Sequence, residues 1–592
     1  MTGITAAMTD ARSGVPLVVS DSRSHRLAST TAWVGVCFWI LAAPFEGSRP
    51  LVQLPGQSIS SVEAALLAVF AAWAAAIVWT RAWPRWHTSL AGPWIAFLVA
   101  VSVAALTASA ERTNALHMAG RFGLAFGVYL VTINGVTTLA RVRTVFVVSA
   151  VIGAVVALLA VLEFLSVPLA LRALTMFRPG VAVVGAQVRA AGPFQYPTIA
   201  SMYLEILFAF VLALVLLAID ARRFVQAAAA GVVLAAIAEA VILTFTRTGL
   251  ITLASGVLIV GGWRVRRNGF DLGAKAMVAV VAIVAVELLA SHSLESVRLR
   301  MTTETQDAWY RASIDAPLNI SLVTGSTNTI PVTLTNTGLT TWDSDAEHPF
   351  RFAYHWLLAD TDRAANFEGL RTTFAEPVLP GATVTVRATV RAPGQPGRYR
   401  LMWDLVQEGR LWFSSEVGAE IVVTQASVTG PAVGPIGSSP AVSLPHNPVR
   451  PGRFKLWQAA GRMFMEHPLL GVGPDNFRLL YGGYAGIANP DPRVHTNNMY
   501  LEALVGGGLV AGVAFAWLCW RATNVFAGAL LRATGRDLGT VTAGVAAAGV
   551  AIALHGLVDS FFSFTATYIL FAVTLGLAVA CDGLTTAHAN RV

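Results

Sequence analysis

The sequence predicts an α-helical polytopic membrane protein of about twelve spans with an extracytoplasmic β-sandwich insert. Three observations predict it. Only 12% of the 592 residues are charged and 55% are hydrophobic, against roughly 25% charged residues in a soluble domain. Apolar runs of spanning length, about 20 residues, recur from end to end. The one long polar stretch, 291–498, contains a segment in which apolar residues alternate at the strand period.

The expected spans lie near 28–45, 61–80, 89–109, 119–138, 144–166, 198–219, 224–245, 248–263, 273–290, 499–519, 538–557 and 560–581. Orientation follows from arginine placement. With the tail 1–26 in the cytoplasm, the inside loops hold Arg81 and Arg85, Arg141 and Arg143, Arg222 and Arg223, Arg264, Arg266, Arg267 and Lys275, then Arg521, Arg532 and Arg536. An even span count makes both termini cytoplasmic and puts 291–498 outside. The tail has no short apolar core with a cleavage site, so no cleaved signal peptide is expected. Cys37, Cys519 and Cys581 all lie in apolar runs, which leaves no disulfide or zinc pattern in the loops. No basic patch on a soluble module points to nucleic acid.

A second set of arginines, Arg112, Arg121, Arg172, Arg178, Arg189 and Arg247, falls at the outer face, where that rule disfavours it. Ionisable groups held against a membrane core are costly and often functional; snorkelling or an ion pair is the plainer account of any one of them. In 167–198, Gly192, Pro193 and Pro197 break any helix, so an ordered turn or re-entrant piece is expected before the next span.

The domain order reads as the membrane domain 27–290, a connector 291–313, the sandwich 314–425, a Pro, Gly and Ser-rich linker 426–450, an outer loop 451–498 and the last spans in 499–592. Ile330-Pro331-Val332-Thr333-Leu334-Thr335-Asn336 and Val384-Thr385-Val386-Arg387-Ala388-Thr389-Val390 alternate, with turns at Asn336-Thr337-Gly338, Leu379-Pro380-Gly381 and Ala392-Pro393-Gly394. Through Thr335-Asn336-Thr337-Gly338 with Trp342, and Pro396-Gly397-Arg398-Tyr399, the insert resembles immunoglobulin-like modules of bacterial surface proteins. The module is expected to be tethered at both ends rather than woven into the membrane body. After Gly452, Phe454, Trp457, Gly461 and Phe464 recur at helical spacing beside Arg453, Lys455 and Arg462, as in a helix lying in the outer interface or packed on the membrane domain.

Two Asp-x-Asp triplets, Asp343-Ser344-Asp345 and Asp360-Thr361-Asp362, read as solvated turns, a weak calcium site being the residual. Trp342, Trp356, Trp403 and Trp412 read as core more readily than as sugar platforms. Glu163, Glu205, Glu239 and Glu502 in apolar runs point either to proton coupling or, for Glu205 and Glu502, to orienting Arg247 or His495.

Three stretches carry chemistry: Pro468-Leu469-Leu470-Gly471-Val472-Gly473-Pro474, preceded by Arg453 and Trp457; Thr246-Arg247-Thr248-Gly249-Leu250; and His495-Thr496-Asn497-Asn498-Met499-Tyr500-Leu501 leading to Gly508-Leu509. Together they resemble the O-antigen ligase and polymerase family of integral membrane enzymes. That resemblance implies transfer of a glycan from an undecaprenyl diphosphate carrier to a glycan or lipid acceptor, at the outer face of the bacterial inner membrane. It implies that Arg189 and Arg247 hold the diphosphate and that His495 assists the acceptor hydroxyl. Arg121, Arg453, Asn497, Asn498, Tyr500 and Glu502 are the expected substrate-binding residues. The sequence departs from the family at one point: Asn497 stands where the family's histidine falls, and His495 lies two residues earlier.

The residue types suit the chemistry. Guanidinium forks match phosphate oxygens and stay charged, and an imidazole near neutral pKa is a suitable base for a hydroxyl. Direct displacement would invert the anomeric carbon, and no metal or other cofactor is expected. The alternatives are a polymerase with the same donor, a lipid-linked glycan transporter, and a non-catalytic glycan-binding protein. A transporter should show repeated halves; no clear internal repeat is present, and the unusual charges gather at one face.

Overall fold

The computed structural model describes residues 23–54, 57–185, 187–292, 294–303, 308–359, 364–366, 368–416, 420–433, 450–487 and 489–590. Arg12 in the N-terminal tail, the Asp360-Thr361-Asp362 triplet and most of the expected linker lie outside these residues.

The chain begins with α1 (Arg23–Ala42), a small hairpin β1 (Val52–Leu54) and β2 (Gln57–Ile59), then α2 (Ser61–Thr80), α3 (Ala91–Thr107), α4 (Arg112–Gly135) and α5 (Leu139–Phe164). A short α6 (Pro168–Leu174) and a second hairpin, β3 (Ala182–Val184) with β4 (Gln187–Arg189), fill the stretch in which the glycine and prolines forbid a long helix. Four long helices follow: α7 (Pro197–Asp220), α8 (Phe224–Leu243), α9 (Arg247–Asn268) and α10 (Leu272–His292). Among the described residues ten helices are long and apolar enough to cross a membrane, and α1 and α3 are shorter apolar helices. The chain is therefore a multi-pass membrane protein.

Boundaries differ from the sequence expectation in three places. The helix expected at 248–263 runs from Arg247 to Asn268, and the one expected at 119–138 starts at Arg112, so Arg112 opens a helix and Arg121 lies well inside it. Near the C-terminus the helix expected to end at 519 continues to Arg532, because no strong breaker intervenes before Gly535, whose φ of +84° ends the path. Arg521 thus sits on a helix, donating to the Ser89 carbonyl at 3.3 Å.

The bundle is organised on α7, buried on all sides from Ile199 through Ala213. A helix apolar all round belongs in the centre, and in lipid its contacts depend on close backbone approach at small residues. Gly544, on the penultimate long helix, meets α7 this way: a Cβ there would lie 2.8 Å from Ala213 and 3.1 Å from the Ala209 carbonyl.

The two ends of the bundle differ. One end gathers the turns 81–90, 136–138, 221–223, 269–271 and 533–535, with most of the arginines of the short loops. Several of those arginines have partners. Arg264, fully buried, donates to Asp220 at 2.6 Å and to Asp271 at 2.7 Å. Arg141 reaches Ser29 at 2.6 Å and the Gly135 carbonyl at 2.7 Å, and lies 5.4 Å over the Trp33 ring. The opposite end carries everything from His292 to Asn498.

That long excursion starts with α11 (Glu295–Thr302) and passes through nine strands: β5 (Ala312–Asp315), β6 (Asn319–Val323), β7 (Thr327–Asn336), β8 (Phe350–Leu358), β9 (Ala364–Asn366), β10 (Thr383–Arg391), β11 (Gly397–Gln407), β12 (Leu411–Trp412) and β13 (Val422–Thr429). They form a three-stranded sheet, β10-β7-β5, and a larger one, β6-β13-β11-β8-β9, with β12 paired to β11. Period-two alternation sets the inward faces: Ile330, Val332 and Leu334 oppose Ala388, Val386 and Val384 in register. Trp342, Trp356 and Trp403 are core, each no more than 2% exposed, while Trp412 lies half-buried under Arg371.

The two sheets do not float on their connections. One apolar cluster runs from Phe245 and Val184 in the helical part through Val297 on α11 to Trp309, Tyr310 and the strand core. The expected tethering is thus replaced by packing: α11 presents apolar residues both to the β3–β4 hairpin and to the sheets.

The chain returns through α12 (Arg453–Glu466) and α13 (Phe477–Ala485), which pack together through Leu456, Ala459, Ala460, Met463, Phe477 and Tyr481. Phe454 and Trp457 are left facing outward. The last helices are α14 (Met499–Arg532), α15 (Arg536–His555) and α16 (Thr565–Ala589).

Candidate functional site

The site is built on an interlock of two glycine-rich segments. At Gly508 the path of α14 breaks, with φ +64° and ψ −165°, a conformation open essentially to glycine alone. The segment 468–473 lies across that break. Leu509 N–H donates to the Pro468 carbonyl at 2.8 Å, Val472 N–H to Val505 at 3.1 Å and Gly473 N–H to Gly506 at 2.9 Å. Backbone groups freed by the break are thereby satisfied, as buried amides require. No side chain fits between the segments: a Cβ on Gly471 would lie 2.3 Å from the Val505 carbonyl oxygen, and one on Gly508 2.2 Å from that of Leu469.

The interlock sets Asp475 against the start of α14. Asp475, with φ +67°, accepts from Arg478 at 2.8 Å and Asn114 at 3.1 Å. Its other oxygen lies 3.5 Å from Nδ1 of His495, a contact that does not count as a hydrogen bond. Glu502 lies below, buried. One oxygen accepts from the Thr496 amide at 3.1 Å and hydroxyl at 2.7 Å; the other has no hydrogen-bond partner. Asp475, His495 and Glu502 present ligand-type atoms within 4.8 Å of one another, a set able to hold a cation or to fix an imidazole.

The neighbouring side chains brace this turn. Asn498 caps α14, its oxygen accepting from Tyr500 and Leu501 N–H at 3.0 Å. Tyr500 donates to the Ala553 carbonyl, and Trp457 donates to the Thr496 carbonyl at 3.0 Å. Asn497 adopts φ +50°. Asp491 gathers Arg450 and Arg493; burial alone would raise its pKa, but these hydrogen bonds outweigh it and hold the carboxyl down at about 2.

Arg189 and Arg247 hang on one short backbone stretch. Ala190 N–H donates to the Leu243 carbonyl at 2.9 Å, and Arg189 Nε to the Thr244 carbonyl at 2.9 Å, three residues before Arg247. Nη2 of Arg189 is buried without a hydrogen-bond partner. Burial, and then the nearby Arg300, push Arg189 down to about 9. Arg247 opens α9, and its guanidinium makes no hydrogen bond or ion pair among the described residues. By contrast Arg178 pairs with Glu163, whose second oxygen accepts from the Ala191 and Gly192 amides at 3.0 and 2.8 Å. That pair pins the loop that carries Arg189. Arg121 is paired as well, 3.0 Å from Glu63.

The arginine loop meets the His495 turn through aromatic rings. Tyr196 and His495 each lie 6.2 Å from the Phe564 ring, and Arg493 reaches Tyr196. Beneath, Glu205 holds His555 at 2.9 Å, both buried, and Gly249 packs against that carboxylate. Arg453 lies within electrostatic reach of His555.

Sequence reasoning left Asp475, His555, Tyr196 and Phe564 unassigned. His555 carried a usable signal, an ionisable residue within an apolar run. Asp475 carried only its place after Gly473-Pro474, and nothing local marks Tyr196 or Phe564.

A family model described as O-antigen ligase matches residues 440–516. No curated protein matches the chain. The matched segment contains α12, α13, both halves of the glycine interlock and the His495 turn, so it is this part of the multi-pass chain that is similar to the O-antigen ligase family.

Proposed function

We propose that the protein transfers an oligosaccharide from undecaprenyl diphosphate to an acceptor hydroxyl at the outer face of the bacterial inner membrane, inverting the anomeric carbon without a metal. One observation carries the reading: Arg189 and Arg247 are anchored to the same short stretch without a carboxylate partner among the described residues, at the end of the bundle opposite the short basic loops. A cation left uncompensated in a poorly hydrated site is costly. A diphosphate, with concentrated negative charge and a geometry suited to guanidinium forks, removes that cost. The bias of short-loop arginines to the opposite end supports a cytoplasmic position for that end and both termini. The exposed Phe454 and Trp457 of α12, flanked by Arg453 and Lys455, fit contact with membrane lipid.

In the reaction the acceptor oxygen attacks the anomeric carbon from the face opposite the diphosphate. The carbon–oxygen bond to the carrier breaks, and undecaprenyl diphosphate leaves with the electron pair, its charge stabilised by the two arginines. The acceptor proton passes to His495. With Nδ1 turned toward Asp475, Nε2 is the nitrogen available as base. Asn497 and Arg453 are assigned to glycan contacts; Asn498, Tyr500 and Glu502 act on substrate through the turn they hold.

Arg189→Ala, Arg247→Ala and His495→Ala test the mechanism with a labelled undecaprenyl-diphosphate glycan and purified protein, with and without EDTA. Transfer surviving all three substitutions sinks it. Transfer lost in EDTA and restored by a divalent ion reassigns Asp475, His495 and Glu502 to a metal. Glycan profiling in a deletion strain separates the two acceptors: loss of long chains with single capped units retained marks a polymerase, loss of all capped product a ligase.

A further inference from the structure

A cavity of about 290 Å³ opens at the seam between the sheets and the helix bundle. Ligand pockets run from about 300 to 1,000 Å³, so this one is sized for a single sugar ring. Gly185, at the turn of the β3–β4 hairpin, forms one wall; Glu295 on α11 forms another. The floor is Trp309 and Gln407, the rim Asp343 and Glu347.

The lining selects a chemistry. Among its described residues it holds three carboxylates, Glu295, Asp343 and Glu347, and no Arg or Lys. A diphosphate or an acidic sugar is repelled. Carboxylates instead accept pairs of vicinal hydroxyls, and Asp343 has one oxygen committed to the Asp345 amide at 2.8 Å and one to offer. Gln407 accepts the Tyr310 hydroxyl at 3.1 Å, which leaves its amide nitrogen to donate. The decisive group is Thr340. It lines the cavity, is 8% exposed, and its hydroxyl has no hydrogen-bond partner. A buried hydroxyl without a partner is costly unless a ligand supplies one.

We propose that this cavity is a saccharide site, distinct from the arginine and histidine cluster, that holds one neutral sugar unit of the glycan through Thr340, Asp343, Glu347 and Gln407. Its biological sense rests on the glycosyl-transfer reading; its test does not. The strand that leaves Gly185 ends four residues later at Arg189. A sugar seated here lies against the same hairpin that presents Arg189, so the sheets give the glycan a second point of attachment.

The test is saturation-transfer NMR on the full chain in lipid nanodiscs, with N-acetylglucosamine, galactose and N-acetylneuraminic acid as probes. At least one neutral sugar should receive saturation, and N-acetylneuraminic acid none. Thr340→Val should reduce the neutral-sugar affinity about 3- to 10-fold, the worth of one neutral hydrogen bond, with a melting temperature that holds or rises because that hydroxyl bonds nothing in the fold. Glu347→Gln, on the exposed rim, should weaken it similarly. No neutral-sugar signal overturns the proposal, as do signals equal to wild type in both variants, or displacement of the sugar by calcium. Arg247→Ala should leave the sugar signal intact. Binding without transfer would sink the transfer reading alone, and transfer without sugar binding would sink this one alone.

Discussion

Arginines occupy both ends of the helix bundle and serve opposite purposes. At the end of the short basic loops several are neutralised: Arg264 by Asp220 and Asp271, Arg143 by Asp537, Arg532 by Asp582. At the other end two sorts stand side by side. Arg178 and Arg121 are paired with Glu163 and Glu63, whereas Arg189 and Arg247 are not paired with any carboxylate among the described residues. Position on the disfavoured side of a membrane is therefore not what singles out a substrate-binding arginine. The absence of a protein counter-charge, together with a place on the shared 243–247 stretch, is. The comparison divides the arginines into those whose loss should cost stability and those whose loss should cost activity.

The largest effect is expected at the paired end. Arg264→Ala leaves Asp220 and Asp271 facing each other over a space in which Gly273 already touches the guanidinium. Breaking a buried ion network this way costs about 3–5 kcal/mol. Thermal melting in nanodiscs should show it as a collapse of the folded fraction, and an unchanged melting temperature would break the comparison.

Arg189→Gln sharpens the comparison from the other side. It removes a cation that burial and Arg300 already disfavour, so the melting temperature should hold or rise. Transfer should fall about 10²- to 10³-fold, as when one charge-stabilising donor is lost. A variant both unstable and active would place Arg189 with Arg178 among the structural arginines.

Next in size is Gly508→Ala. The new Cβ meets the Leu469 carbonyl, and the backbone conformation is closed to alanine. Strain of about 1–3 kcal/mol is expected, relieved by pulling segment 468–473 off the break and moving Asp475 away from His495. Activity should then fall more steeply than stability; equal losses would mean that the interlock does nothing for the site.

How much of this was legible in the sequence depends on distance. Helices such as α7 were readable because an apolar run needs no partner to be recognised, and strands such as β7 because alternation is local. The outlying arginines were visible by side of membrane, but which of them pair was not. Arg178 meets Glu163 and Arg121 meets Glu63 only once the helices assemble. Gly471 and Gly508 stood out only as parts of two separate motifs, yet their requirement is mutual and set by a crossing of backbones 37 positions apart (508 less 471). Docking of the sheets on α11 was hidden for the same reason: Val297 carries no periodic signal of its own in an eight-residue helix.

The smallest effect concerns the turn that carries His495, and it isolates one ion cluster by pH. Asp491, 1% exposed, is held at about 2 by Arg493 and Arg450 against the opposing effect of burial. An unfolded aspartate titrates near 3.9. A carboxyl whose folded pKa is depressed adds stability above the unfolded value, and that contribution is lost as pH falls from about 4 through about 2. Both arginines are more than half exposed, so screening limits the effect to about 1–2 kcal/mol. Wild-type melting temperature should therefore drop between pH 4.5 and 2.5 by more than that of Asp491→Asn, which has no such group to protonate. Parallel curves would mean that the Asp491 cluster does not hold the turn. The uncompensated Arg189 and Arg247 would then be brought to His495 through Tyr196 and Phe564 alone.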